Sequence, residues 1–150
     1  MLVTGYRLRP VQQQRERDEK SVRGELADAV GDASEAARRL AEASQRVASV
    51  REAIRHSASS SPTTIDRRLE PARAIAELVR VERYRARLRG QLELALVDEL
   101  RARDACDGKT ASVDLARDRL AVARAARRVV ETHFARWRDD QRKLAERRED

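Results

Sequence analysis

The stretch that decides the fold is residues 22–54, VRGELADAVGDASEAARRLAEASQRVASVREAI. Its apolar residues recur at alternating steps of four and three, which is the heptad spacing of a coiled-coil seam. The seam positions are Val22, Leu26, Ala29, Ala33, Ala36, Leu40, Ala43, Val47, Val50 and Ile54. One helix cannot bury so narrow an apolar stripe alone. The pattern therefore predicts a second helix with a matching stripe.

The second half of the chain carries a seam of the same kind in one register. Its members are Leu78, Val81, Leu88, Leu92, Ala95, Ala102, Cys106, Val113, Ala116, Leu120, Ala123, Val130, Phe134, Trp137 and Leu144. Pro71 suits the first position of this helix. Gly108 is its weak point, since Gly costs about 1 kcal/mol relative to Ala inside a helix. The helix either continues there, with or without a bend, or breaks at 107–109 so that residues 111–150 fold back as a third helix.

The predicted architecture is all-α, with two long helices in an antiparallel coiled-coil hairpin that forms a single domain. We expect helix 1 over about 8–56, a loop rich in Ser, Pro and Thr over about 57–70, and helix 2 over about 71–148. Folding about this loop would leave the C-terminal end of the longer helix 2 overhanging. The apolar residues left without a partner there would be Val130, Phe134, Trp137 and Leu144.

Two pairings follow from folding about the loop. Leu40 and Val47 would face residues 75–88 of the second helix. Arg85, a charged residue at a seam position, would lie near Glu42 and fix the register, because an unpaired charge in a seam is costly. At the start of the first helix the seam positions are polar, including Glu19, so this part either packs weakly or meets something polar.

Charge dominates the composition, with 39% charged residues, 3% aromatic residues and a net charge of +7. Together with heptad periodicity, this is typical of coiled coils rather than of globular domains. The first residues lack the apolar core of a signal peptide, and no apolar run is long enough to span a membrane. A single cysteine excludes an internal disulfide and fits a reducing compartment. We expect a cytoplasmic protein.

The motifs that could carry chemistry are weak. Gly108-Lys109-Thr110 resembles the end of a phosphate-binding loop, but Arg103 stands where that motif requires a Gly. His56 and His133 have no Cys, Asp or Glu around them at zinc spacing. The sequence therefore predicts a protein that is not an enzyme, with no catalytic, cofactor-binding or metal-binding residues.

Basic residues concentrate in two regions of the second helix. Residues 117–138 hold seven Arg against two acidic residues, and residues 73–91 hold six Arg against two. Arg and aromatic residues on an unpaired apolar face are common anchors of protein interfaces. The predicted partner-binding residues are Arg117, Arg124, Arg127, Arg128, Phe134, Arg136, Trp137 and Arg138. A second basic patch comprises Arg73, Arg80, Arg83 and Arg87.

The chain ends carry a resemblance to a known family. Residues 6–20, YRLRPVQQQRERDEK, place a few apolar residues before an Arg/Glu run, and residues 137–150, WRDDQRKLAERRED, form a charged end. In a basic hairpin, these stretches resemble the YscO/FliJ family of type III secretion stalk proteins. The resemblance implies a stalk at the central pore of the hexameric export ATPase, linked to the export gate in the inner membrane. It also implies contact with export chaperones.

Three functional hypotheses follow. The preferred one is a non-enzymatic stalk or adaptor of a type III secretion export apparatus, which contacts the ATPase through residues 117–138 and the chain ends. The second is a structural or scaffolding coiled coil that binds another helical protein. The third is nucleic-acid binding through the basic patches, which is disfavoured because the patches hold too few aromatic residues to stack bases. The pattern fits an injectisome and a flagellar system equally.

Overall fold

The computed structural model describes residues 6–59 and 71–149, and this part of the chain is all-α. Helix α1 spans Arg9–Ser59 and helix α2 spans Pro71–Glu149. The prediction of an all-α protein built from two long helices, the second one longer, is confirmed. Helix α1 continues through the first residues assigned to the loop, and the rest of that loop, residues 60–70, lies outside the described residues.

Pro10 and Pro71 explain where the two helices start. Pro10 lies in the first turn of α1, where its missing N–H costs nothing, and the Arg9 N–H donates to the Tyr6 carbonyl at 3.1 Å. Pro71 is the first residue of α2. Helix α2 then continues through Gly108 without a break, so the alternative of a third helix is wrong.

Residue contacts divide the chain into two compact units. Unit 1 comprises Met1–Ala33 and Lys109–Asp150, and unit 2 comprises Ser34–Gly108. Each unit takes one stretch from α1 and one stretch from α2. The organisation as a single domain stays a prediction. None of the described helices is both long and apolar enough to cross a membrane.

The core of unit 1 lies on the predicted seam. On α2 its buried members are Val113, Ala116 and Leu120. On α1 the half-buried members are Val22, Leu26, Ala29 and Ala33. Burying a Val or Leu side chain contributes about 1.5–3 kcal/mol, whereas Ala buries much less surface. Apolar burial therefore holds the two stretches together without strongly favouring one alignment.

The core of unit 2 also lies on the seam. Its buried apolar residues are Ala36, Ala43, Val47 and Leu88. Ser44 of α1 donates a hydrogen bond from Oγ to Oε1 of Glu99 at 2.6 Å. This contact joins the middle of the α1 stretch to the C-terminal part of the α2 stretch.

The register of unit 2 differs from the predicted one. Arg85 donates to Glu82 Oε1 at 3.0 Å and to the Ser57 carbonyl at 3.1 Å, so the predicted pairing with Glu42 is wrong. Because Ser44 bonds Glu99, the placement of Leu40 and Val47 opposite residues 75–88 is wrong as well. In the observed register the polar groups at seam positions meet polar partners. The predicted register was derived from the position of the loop alone and did not require such pairing.

Only part of the excess length of α2 is left at its C-terminal end, where residues 140–147 are exposed and Leu144 is 45% exposed. Phe134 and Trp137 pack on Tyr6 in unit 1, so their prediction as residues without a partner is wrong. In unit 2, Leu78 occupies a seam position near the start of α2 but is 45% exposed. The unpaired seam positions therefore include the first turns of α2.

The register of unit 2 can be tested by crosslinking. In a Cys106→Ala background, Ser44→Cys with Glu99→Cys should react within one chain with a short bismaleimide, because the native side chains are in contact. The control pair, Val47→Cys with Ile75→Cys, represents the register predicted from the loop and should not react within one chain. Intact mass and gel mobility report the products. Efficient reaction of the control pair alone would refute the observed register.

Candidate functional site

The candidate site is in unit 1, and it begins with a buried acid. Glu19 is the seam position three residues before Val22 on α1, and its side chain is only 7% exposed. Among the described residues it is the buried charged residue. Burial of a carboxylate is costly unless cations and hydrogen-bond donors surround it. The neighbours of Glu19 supply both.

Three guanidinium groups surround the Glu19 carboxylate. Arg127 of α2 donates from Nη1 to Oε2 at 3.1 Å, and Arg23 donates from Nη2 to Oε1 at 3.0 Å. Arg124 Nε lies 3.6 Å from the same Oε1. Arg127 is also held from its other side, since its Nε donates to Glu131 Oε1 at 2.7 Å. The polar start of the α1 seam therefore meets a polar position of the α2 seam.

This arrangement shifts the pKa values of both partners. The hydrogen bond from Arg127 lowers the pKa of Glu19 below its usual 4.5, against the opposing effect of burial, and the charges of Arg127 and Arg23 add to the decrease. The hydrogen bonds to Glu19 and Glu131 raise the pKa of Arg127. Both groups are therefore ionised throughout the physiological range.

The predicted partner-binding arginines divide into two groups. Arg124 and Arg127 contact Glu19, and Arg117 Nη1 lies 3.2 Å from Asp114 on its own helix. These three side chains are occupied within unit 1. The second group has exposed side chains with no ion-pair partner within 4 Å among the described residues. Its members are Arg128, Arg136 and Arg138.

An aromatic cluster lies beside the second group. Tyr6, just before α1, places its ring 4.9 Å from Phe134 in an edge-to-face arrangement and 5.2 Å from Trp137. The Phe134 and Trp137 rings are stacked with their centroids 5.9 Å apart. The Tyr6 hydroxyl lies 3.0 Å from His133 Nδ1. Such ring geometries contribute roughly 0.5–1.5 kcal/mol per pair beyond area burial.

We use the name aromatic-basic surface for the part of unit 1 that carries the Tyr6, Phe134 and Trp137 rings and the three exposed arginines Arg128, Arg136 and Arg138. The three rings are half-buried, so each keeps part of its surface in water. Half-buried rings and exposed guanidinium groups in one part of unit 1 are residue types that fit an acidic, partly apolar protein surface. Among the residues that the structure describes, no group of three or more His, Cys, Asp or Glu is placed to hold a metal ion.

Sequence reasoning missed Tyr6 and His133 as members of this site. Both lie in stretches that the sequence analysis singled out, but no local pattern joins residues 127 positions apart. A signal was nevertheless present. Glu19 and Arg127 are seam positions of opposite charge, and pairing them sets the register that brings Tyr6 to Phe134.

The second basic patch lies in unit 2, and all four of its arginines are exposed. Arg80 Nη1 lies 3.2 Å from Glu77 on the same helix. For Arg83 and Arg87, no ion-pair partner lies within 4 Å in the described part of the chain. This patch is therefore accessible, but no aromatic ring cluster lies beside it among the residues that the structure describes.

Comparison with known proteins gives no family: no family model, curated protein or solved structure matches the chain. The function is therefore argued from the surfaces of the chain itself.

The buried ion pair predicts a specific pH dependence. Because folding lowers the pKa of Glu19, its stabilising contribution is complete above pH 4.5 and is lost as pH falls through the lower folded value. Glu19→Gln should therefore destabilise the protein at pH 7, and its difference from wild type should shrink in acid. Urea unfolding followed by circular dichroism at pH 7 down to pH 2 measures this difference.

The matched control is Glu25→Gln. Glu25 lies 3.6 Å from Arg119 with its side chain 52% exposed, and exposed pairs contribute only about 0–1 kcal/mol. The loss at pH 7 should be larger for Glu19→Gln than for Glu25→Gln. Equal losses with the same pH profile would show that burial of Glu19 has no special role.

The aromatic cluster predicts a loss of stability when it is truncated. Trp137→Ala removes a half-buried ring that contacts both Tyr6 and Phe134, so the free energy of unfolding should fall by about 1–3 kcal/mol. Tyr6→Phe keeps the rings and removes the hydroxyl near His133, so it should cost about 1 kcal/mol or less. Chemical denaturation measures both. An unchanged denaturation midpoint for Trp137→Ala would show that the contacts among these rings do not stabilise the folded chain.

Proposed function

We propose that this chain is a non-enzymatic stalk or adaptor of a type III secretion export apparatus. In this role it is cytoplasmic, lies peripheral to the inner membrane and links the hexameric export ATPase to the export gate, with export chaperones as further partners. The observation that carries the proposal is the aromatic-basic surface. It lies where the start of α1 meets the C-terminal part of α2, and its residues Tyr6, Trp137 and Arg138 belong to the stretches that resemble the YscO/FliJ family.

Two features of unit 1 support a stalk that transmits force along its helices. Its seam is buried without interruption from Val113 to Leu120, and Glu19, the buried acid among its described residues, is neutralised by arginines. Two helices joined by such ion pairs resist sliding, because a shift would separate the Glu19 carboxylate from Arg124 and Arg127 of α2. A stalk that transmits force or position needs this resistance.

The charge of the aromatic-basic surface supports a protein partner. Arg128, Arg136 and Arg138 are exposed and not neutralised by described acids within 4 Å. Basic groups of this kind speed up the encounter with an acidic surface and restrict its orientation. The half-buried rings of Phe134 and Trp137 can then add apolar contact at the centre of the interface.

The proposal predicts a specific loss of ATPase binding. Arg128→Glu, Arg136→Glu and Arg138→Glu, combined in one variant, should weaken binding to a purified hexameric secretion ATPase by about tenfold or more, because like charges then face each other. Isothermal titration and pull-down measure this. None of the three side chains supports the fold through an ion pair with a described residue, so the variant should keep its melting temperature.

The control variant makes the same change in charge elsewhere. Arg38→Glu, Arg51→Glu and Arg103→Glu replace exposed arginines of unit 2 that also lack a described ion-pair partner, and this variant should bind like wild type. Equal weakening by both variants would indicate a nonspecific charge effect. A wild-type chain that fails to bind the ATPase but captures DNA, with affinity falling steeply as salt rises, would favour the nucleic-acid hypothesis instead.

A further inference from the structure

A patch of large aliphatic side chains lies on the outside of unit 2. Leu94 is 70% exposed, Leu100 58%, Val97 46% and Leu96 38%. All four fall within seven residues of α2, and none is a seam position. Single exposed aliphatic residues are ordinary, but a cluster of four on one helix marks an interaction surface. We call these four residues the outer patch.

Charges on the same face continue from the outer patch in both directions. Arg87 lies seven residues before Leu94, and Asp104 lies seven residues after Val97. A step of seven residues returns to nearly the same side of a helix, so Arg87 and Asp104 lie on the same face as Leu94 and Val97. Arg87 and Asp104 are both exposed, and neither has an ion-pair partner within 4 Å in the described chain. Arg87 therefore lies on one side of the apolar centre, and Asp104 lies on the other side, beyond Arg101.

We propose that a second copy of this chain covers the outer patch, with the two α2 helices antiparallel and related by a two-fold axis. Leu94 of each copy packs on Val97 of the other copy. Because the two charges are equally spaced from this centre, Arg87 of each copy then meets Asp104 of the other. An isologous interface uses every such contact twice, so the pairing has two apolar contacts and two ion pairs.

The charges select the antiparallel direction. In a parallel pair, Arg87 would face Arg87 and Asp104 would face Asp104, and like charges at these positions repel. The order of charges along the face is thus complementary to itself only when one helix is reversed. A partner of different sequence would need this same order of acidic, apolar and basic groups, which the second copy already has.

Gly90 fits the same arrangement. It lies midway in the face between Arg87 and Leu94, where the antiparallel pairing brings Arg101 of the other copy. Open space surrounds the position of a Cβ at Gly90 within the described chain, so the bulky Arg101 side chain can lie over it. Gly is otherwise unfavourable inside a helix relative to Ala.

The interface is small, and its affinity should be modest, on the order of micromolar. The inference does not depend on the proposed function, since the outer patch takes no part in the proposed ATPase contact. It gives a role to Arg87, one residue of the second basic patch. ATPase binding and self-association can therefore fail separately.

A charge exchange between two variants tests both the partner and the register. Arg87→Asp and Asp104→Arg should each weaken self-association by about tenfold or more, because each places like charges at both ends of the pair. An equimolar mixture of the two variants should recover a dimer. In the mixed dimer one end holds the native pair, and the other end holds the same pair with its charges reversed. Sedimentation velocity over a concentration series measures all three samples.

A second pair of variants tests the apolar contact. Leu94→Ser with Val97→Ser should abolish self-association without lowering the melting temperature, since both side chains are exposed in the single chain. Leu115→Ser with Val122→Ser removes equally exposed aliphatic groups of unit 1 and should leave the dimer intact.

Three outcomes would overturn the inference. The first is a wild-type chain that stays monomeric up to about 1 mM, where even a millimolar dissociation constant would be visible. The second is a wild-type dimer with no recovery in the mixture of charge variants, because the register would then be different. The third is a dimer lost in the unit 1 control and kept in the outer-patch variant.

Discussion

The ion pair between Glu19 and Arg127 is the contact on which the arrangement of unit 1 depends. Both residues occupy seam positions, where neighbouring heptads offer mostly Ala, Val and Leu. Moving one stretch by a heptad would bury similar apolar area but would take Glu19 away from Arg124 and Arg127 and leave it only Arg23 of its own helix. The charge therefore selects one register from several that apolar packing alone would allow. With that register set, Tyr6 reaches Phe134 and Trp137.

Periodicity predicted the inward face of both helices well. Ala36, Ala43 and Val47 on α1 and Leu88 on α2 are buried where the heptads placed them. The register could not be predicted in the same way, because an alanine-rich seam repeats nearly the same pattern every seven residues. The prediction aligned the two helices from the position of the loop, yet Arg85 donates to the Ser57 carbonyl rather than pairing with Glu42. Loop position constrains pairing weakly when a helix can extend past the end of its partner.

The same reasoning explains why the sequence predicted the basic region of the candidate site but not which of its arginines are accessible. Counting charges along residues 117–138 finds the basic region but cannot tell occupied arginines from accessible ones. Arg127 belongs to the interior contact of unit 1, whereas Arg128, the next residue, is exposed. The two differ by one step of 100° around the helix, which is enough to turn a side chain from the seam to solvent. The register decides which arginines have an acid opposite them, so the site could be defined only after the register was known.

The chain departs from the heptad rule in both directions, and the two departures have different consequences. Charged groups lie in the seam at Glu19 and Arg127, and aliphatic groups lie outside it at Leu94 and Val97. An inward charge lowers the number of acceptable alignments, because it needs one specific partner. An outward aliphatic group gains nothing within the single chain, since water covers it there. Sequences tend to break local rules where specificity or function requires it. The inward exceptions therefore specify how the chain pairs with itself, and the outward pair Leu94 and Val97 fits the proposed contact with a second copy.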